Sequence, residues 1–430
     1  MWKHLLLVAV VSTTSQLAFG LEGGVAACDI TPDVATFNVP MAGYGARLGK
    51  PSTGVHDPLR AKVLVLKAGA KQLALVTSDL RSMTPELKTK VLEQIGNLDF
   101  TADNVLMCAS HTHDGPSMYA EKFWQFQFGK YDPKIVDVMA EQIAQAFRAA
   151  VEHLQPVQAG YGECTAEGFS KNRRWEYDTT AREAAGEQPV IDETLRILRV
   201  DAEGGAPLAL VVNFPTHPTI LGADNFLLSA EWPGALQASL ESIFPGAAVL
   251  YCNGAEGDQA PVEPAGTDEF AQMEQFGQSL AQRAADCARA IQPQAGLTLG
   301  YARNAVPLPA VTFSEGAQKS KYAHLAALAQ ADLPKTAEVQ VLLIGGVALA
   351  GLPGEPISEV GAAVRQGLGA LGCSHVMVIG LANDYLGYIL NAKEYAHGGY
   401  EVDQRSFYGP TLGELLATAA SKVASAAKAE

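Results

Sequence analysis

What most narrows the choice of fold is an alternation. Along nearly the whole chain, apolar runs of strand length take turns with longer stretches of helical period. That pattern belongs to α/β proteins in which helices cover a buried sheet. Residues 61–67 and 72–77 read as consecutive strands about the turn Ala68-Gly69-Ala70-Lys71. Thr84 then caps a helix that has Pro85 at its first position and runs to about Ile95. Residues 104–109 read as the next strand and 133–153 as a long amphipathic helix. The middle continues with strands near 196–200 and 208–213, a helix near 233–243, a strand at 247–252 and a helix at 269–291. A strand at 297–302 and an Ala-rich helix at 319–331 follow. The last third offers a hairpin of 339–343 and 347–350 closed by Gly345-Gly346, a helix at 357–368, a strand at 375–380 and a final helix from about Thr411. Residues 176–189 are polar enough for a surface excursion but too short to divide domains. No internal repeat is legible. The pattern predicts one large α/β domain with a mixed, largely buried sheet flanked by helices, over residues 21–430.

Composition bears on partners. With 48% hydrophobic and 18% charged residues the chain has enough apolar surface to fold. Its formal charge of -15 argues against non-specific docking on nucleic acid or anionic lipid, which needs clustered Lys and Arg. A small-molecule or lipid substrate is expected, and oligomeric state is not readable. At the N-terminus, Lys3 and His4 precede a short apolar run over 5–11, and Ala18-Phe19-Gly20 gives a small-x-small cleavage pattern. Residues 1–20 therefore read as a signal peptide, which implies export to a periplasmic or extracellular compartment. No later run is predicted to span a membrane once that segment is removed. The six cysteines are scattered and show no CxxC, so a zinc ribbon is not expected, and disulfides are allowed without a readable pairing.

The chemistry-bearing residues gather where strand-like runs end, the usual ligand edge of an open α/β sheet. Ser110-His111-Thr112-His113-Asp114 follows one such run. In an extended segment its two imidazoles share a face, as a metal pair or as a hydrogen-bonded structural pair. His217 stands between Pro215 and Pro218 after another run, as a ligand or a turn histidine. Asn253-Gly254-Ala255-Glu256-Gly257-Asp258 is acidic and Gly-rich but has no Lys for a phosphate cradle, and Asp258 is placed to orient a histidine or accept a proton. Glu355 follows the predicted hairpin, as a ligand or as an acid at a helix N-terminus. Tyr388 and Tyr400, read alone, are buried aromatics with a bonded hydroxyl.

In order, these segments resemble the neutral/alkaline non-lysosomal ceramidase family, specifically its N-terminal zinc-hydrolase domain. The resemblance runs from Asp29-Ile30-Thr31-Pro32 and Gly43-Tyr44 through Gly54-Val55-His56-Asp57-Pro58, His111-Thr112-His113 and Asn172-Arg173. It continues with Asn213 to His217, Ser229-Ala230-Glu231, Gly257-Asp258-x-x-Pro261 and Pro353-Gly354-Glu355. It ends in the Tyr-rich stretch 385–401 and Tyr408-Gly409-Pro410. The resemblance implies zinc (Zn2+) held by His111, His217, Glu355 and Tyr388, with His113 assisting proton transfer and Arg173 and Tyr400 donating to the substrate carbonyl. It implies hydrolysis of the amide of a ceramide-like N-acyl lipid by a zinc-activated water. Two departures stand out: Ala260 occupies the position of the family's serine, and no C-terminal immunoglobulin-like domain is expected. Arg174-Trp175 also replaces the usual Ser-Pro after the arginine. These keep open a metal-dependent hydrolase of another acyl amide or ester, and a catalytically silent binding protein.

Overall fold

The computed structural model describes residues 20–117, 129–319, 330 and 333–429. The expected leader, residues 1–20, and the expected helix at 319–331 fall almost wholly outside the described residues.

An eight-stranded mixed sheet and a four-stranded sheet carry the fold. Together they are built from one plan used three times: three antiparallel strands, a crossover helix, a fourth strand parallel to the third, and a closing helix. The first unit has strands Leu21–Asp29, Arg60–Ala68 and Lys71–Ser78, helix Pro85–Ile95, strand Val105–Ala109 and helix Pro133–Glu152. The second has Gln155–Thr165, Thr194–Ala202 and Pro207–Phe214, helix Glu231–Ile243, strand Ala248–Asn253 and helix Glu269–Ala290. The third has Leu299–Pro307, Thr336–Ile344 and Val347–Gly351, helix Ser358–Ala370, strand His375–Ile379 and helix Leu412–Ala429. The first two units share the larger sheet through one short seam, Glu22 opposite Pro156 and Gly23 opposite Gln155.

Strand alternation decides which side chains go where. In each unit one face of the sheet packs on that unit's own helices: Val63, Val65 and Val76 against Met139, Ile143 and Phe147 in the first, Leu210, Val212 and Val249 against Leu236 and Leu280 in the second, Val339, Val341 and Ala348 against Val364 and Leu416 in the third. The opposite faces meet in one central cluster that takes Leu64, Leu75 and Leu106 from the first unit, Leu198, Val211 and Leu250 from the second, and Leu342, Leu349 and Met377 from the third. Cys108 and Cys252 meet there, their sulfurs 3.6 Å apart.

The threefold plan is a correction to the reading of no internal repeat: it lies in topology, because the units share apolar periodicity rather than residues. Two of its strands, Leu21–Asp29 and Gln155–Thr165, were not expected. Both are rich in Gly and polar residues, and the reason is close packing: a β-carbon on Gly24 would run into the Ala150 carbonyl of the closing helix. The polar stretch 176–189 holds a short helix, Thr179–Ala184. Among the described residues there is no immunoglobulin-like sandwich, and no helix long and apolar enough to cross a membrane.

Because third and fourth strands are parallel in every unit, all six of their C-terminal ends lie on corresponding edges. Three asparagines stitch those ends together. Asn213 donates to the carbonyls of Cys252 and Val378, both at 3.0 Å. Asn383 accepts from the Met107 amide at 3.0 Å and donates to Gln340. Asn253 donates to Ser110 and Thr216, both at 3.1 Å, which are the carbonyls just before His111 and His217.

Candidate metal centre

His111, His217 and Glu355 come from the first, second and third unit and meet side by side. Glu355 Oε2 lies 3.3 Å from His111 Nε2 and 3.1 Å from His217 Nε2, and all three side chains are fully buried. Each imidazole is oriented from behind. His111 Nδ1 is 2.6 Å from the Arg81 carbonyl and His217 Nδ1 is 2.9 Å from the Gln259 carbonyl. A carbonyl only accepts, so both Nδ1 atoms carry the proton and both Nε2 lone pairs face the Glu355 carboxylate. Three acceptors turned on one another in a buried place repel unless a cation sits among them. Two imidazole nitrogens and a carboxylate oxygen are the donor set of a borderline divalent ion such as zinc, so the residues fit the expected metal. Burial lowers His217 to about 4, which keeps its imidazole neutral near pH 7. Tyr385, whose hydroxyl is 2.5 Å from Glu355 Oε1, fixes the other carboxylate oxygen, and Arg81 lies over its ring at 4.4 Å.

Tyr388, the fourth expected ligand, is brought to the site by a short parallel pairing of Glu355–Pro356 with Tyr388–Ile389. Its ring stacks 6.4 Å from that of His217, and its hydroxyl accepts from Arg173 Nη2 at 2.8 Å. Arg173 Nε is held by Glu401 at 2.9 Å, so the guanidinium stands beside the centre with its other nitrogens aimed inward. Tyr400 lies at the rim, 39% exposed, 6.1 Å from Tyr388. Arg174 is buried, bonding Glu394 and Glu401, so it anchors the segment that carries Tyr400.

His113 Nε2 is 3.3 Å from His111 Nε2, but not by the strand rule that predicted a shared face: His111 has a φ of 73° and turns the backbone. Burial, with His111 and His217 beside it, holds His113 well below the ordinary imidazole value, and its Nδ1 has no hydrogen-bond partner. Gly43 lets the chain pass against the His113 ring, where any β-carbon would collide. Arg47 secures the same loop through the His113 carbonyl and a fully buried ion pair with Asp114, both at 2.5 Å.

Asp258 departs from expectation. It touches no histidine. It accepts from Asn172 Nδ2 at 3.0 Å and from the Ser358 amide and hydroxyl at 2.8 and 2.5 Å, so it ties the residue before Arg173 to the helix after Glu355. Ala260, half-buried, pairs with Lys171 in a short antiparallel bridge. Residues that sequence reasoning missed act through backbone carbonyls or lie behind the ligands: Arg81, Tyr385, Asn253 and Glu256. A positive φ also marks Glu231, which accepts from the Leu221 and Trp232 amides at 2.9 and 2.6 Å and so braces the loop after His217.

Comparison with known proteins bears on the family and the fold. Neutral ceramidase A of Dictyostelium discoideum is 26% identical over 257 residues, 56% of this chain and 35% of that protein. Neutral ceramidase of Pseudomonas aeruginosa is 27% identical over 221 residues, 49% and 32%. The chain thus spans about a third of the length of these curated relatives. The crystal structure of neutral ceramidase from Pseudomonas aeruginosa superposes with a TM-score of 0.82 at 21% identity, over 94% of this chain and 74% of that one. A ceramidase complexed with C2 gives 0.80 at 20%, over 96% and 76%. The model of the neutral/alkaline non-lysosomal ceramidase N-terminal region matches residues 22–250, more than half the sequence, and the chain therefore belongs to that family.

Proposed function

We propose that this chain is an exported, zinc-dependent amidohydrolase acting on a ceramide-like N-acyl lipid, with His111, His217, Glu355 and Tyr388 around the metal. The observation that carries this reading is the convergence of two Nε2 lone pairs and one carboxylate, each from a different unit, with both Nδ1 atoms anchored on carbonyls. Zinc, when bound, supplies Lewis acidity and makes water nucleophilic near neutral pH. The chain supplies the rest. Arg173, braced by Glu401, is placed to donate to the oxygen of a scissile carbonyl, and Tyr400 stands at the rim to add a second donor. His113, packed against His111, is the neutral imidazole placed to take a proton from the attacking water and return it to the leaving amine. Asp258 acts at one remove, fixing Asn172 and Ser358.

A second reading changes only the substrate. Ala260 has no hydroxyl to attack or to pass a proton, which favours an acyl amide or ester other than ceramide. Zinc content of the purified protein and turnover of a panel of N-acylsphingosines, acyl amino acids and esters test both readings. Protein that takes up no zinc sinks the site, and turnover of esters with none on N-acylsphingosine removes the ceramide reading. Gain of ceramide hydrolysis by Ala260→Ser alone would place the natural substrate elsewhere.

A further inference from the structure

We propose that Glu256 is an additional carboxylate donor of the metal centre, binding the same divalent cation as His111 and Glu355; the inference rests on the metal reading above. Glu256 lies in the loop after the fourth strand of the second unit, the counterpart of the loop that carries His111 after the fourth strand of the first. It is 0% exposed, and neither carboxylate oxygen has a hydrogen-bond partner. A ligand oxygen of Glu256, a ring nitrogen of His111 and an oxygen of Glu355 all lie within 4.8 Å of one another.

A buried carboxylate without a donor costs several kcal/mol unless a cation or proton satisfies it. None of the donors that the fold places nearby reaches it: Tyr385 is turned to Glu355, Arg173 is held by Glu401 and Tyr388, and Asn253 serves two carbonyls. What remains is a cation, or a proton when no cation is bound. Charge balance points the same way. Two neutral imidazoles and Glu355 leave a divalent ion with one uncompensated positive charge in a buried place, and Tyr388 already has a cationic partner in Arg173. A second carboxylate brings the centre to neutrality.

The test uses full-length protein stripped by a strong chelator and reloaded with Zn2+ alone, with affinity read by competition against a chromophoric chelator. Glu256→Gln is expected to weaken zinc by about a hundredfold or more, at or beyond the limit of what outer contacts contribute, while the unfolding midpoint of the stripped protein stays level or rises. The protein loaded with Co2+ gives a readout independent of affinity: removing one donor lowers the coordination number and strengthens the visible absorption. Glu256→Asp, with a shorter reach, should fall between wild type and Glu256→Gln. Equal affinity and an unchanged cobalt spectrum in Glu256→Gln overturn the proposal. So does a loss of affinity matched by an equal fall in the stripped protein's midpoint, which marks Glu256 as structural. Wild-type protein that binds no zinc overturns the metal reading as well, whereas binding unaffected by Glu256→Gln overturns this inference alone.

Discussion

Asp79, His217 and Glu355 are equally spaced along the chain, and each lies within four residues of the end of a third strand. Two of them face the proposed cation site. The third, Asp79, does not: it accepts from the Arg60 amide at 2.9 Å and from Gln237 at 3.2 Å, beside a cavity of about 590 Å3 that Lys62, Glu231 and Glu241 also line. In the first unit the proposed ligand comes instead from the loop after the fourth strand, as His111. The comparison teaches that one topology offers six strand ends and that the loop after each decides its use. Asp79 follows its strand directly, still in extended register with Arg60, whereas His217 and Glu355 come after turns built on Pro215 and Pro353-Gly354 that swing them inward.

The largest effect should separate the third-strand residues outright. His217→Ala is expected to lower zinc affinity by more than about a hundredfold, beyond what outer contacts contribute, while Asp79→Ala leaves it unchanged; equal losses in a chelator titration would break the distinction. Next comes the seam between the first two units. Arg47→Met strands Asp114, which burial already raises to about 7 despite the guanidinium, and should cost about 3–5 kcal/mol in a denaturant melt. Asn253→Ala leaves the carbonyls before His111 and His217 without their donor. It should cost about 1–3 kcal/mol and loosen zinc as well. The smallest effect sharpens the contrast by pH. Burial raises Asp79 to about 6, so the folded state holds its proton more tightly than the unfolded chain. Its contribution is full below about pH 4 and is lost as pH rises toward 6, on the order of 2 kcal/mol. Asp79→Asn should flatten that part of the stability profile, and an unaltered slope would show that Asp79 does not titrate there.

What was legible in the sequence was local. Thr84 and Pro85 announce a helix start because a cap and a fixed φ act on adjacent residues, and the Thr84 hydroxyl does accept from the Leu87 amide. Gly345-Gly346 announces a hairpin for the same reason. His111, His217 and Glu355 were found because they end apolar runs in an order that a family shares. Asn253 and Arg81 were not, since each orients a histidine through a main-chain carbonyl far away in sequence, which residue type does not encode. Asp258 shows the same limit: an acid in a Gly-rich loop invites a catalytic reading, and the sequence does not show that its oxygens accept from Ser358 and Asn172. The strands at Leu21–Asp29 and Gln155–Thr165 were hidden by the very glycines that let helices lie against them.

The origin of the ligands in three separate units has a thermodynamic side. A cation gripping His111, His217 and Glu355 would act as a cross-link, closing two long stretches of chain at one point. A covalent link across about 100 residues restricts the unfolded ensemble by roughly 4–5 kcal/mol, and a reversible one acts the same way for as long as it holds. Metal loading would then be a folding event as much as a catalytic one, with a bare chain slow to bring its three units together and quick to lose them.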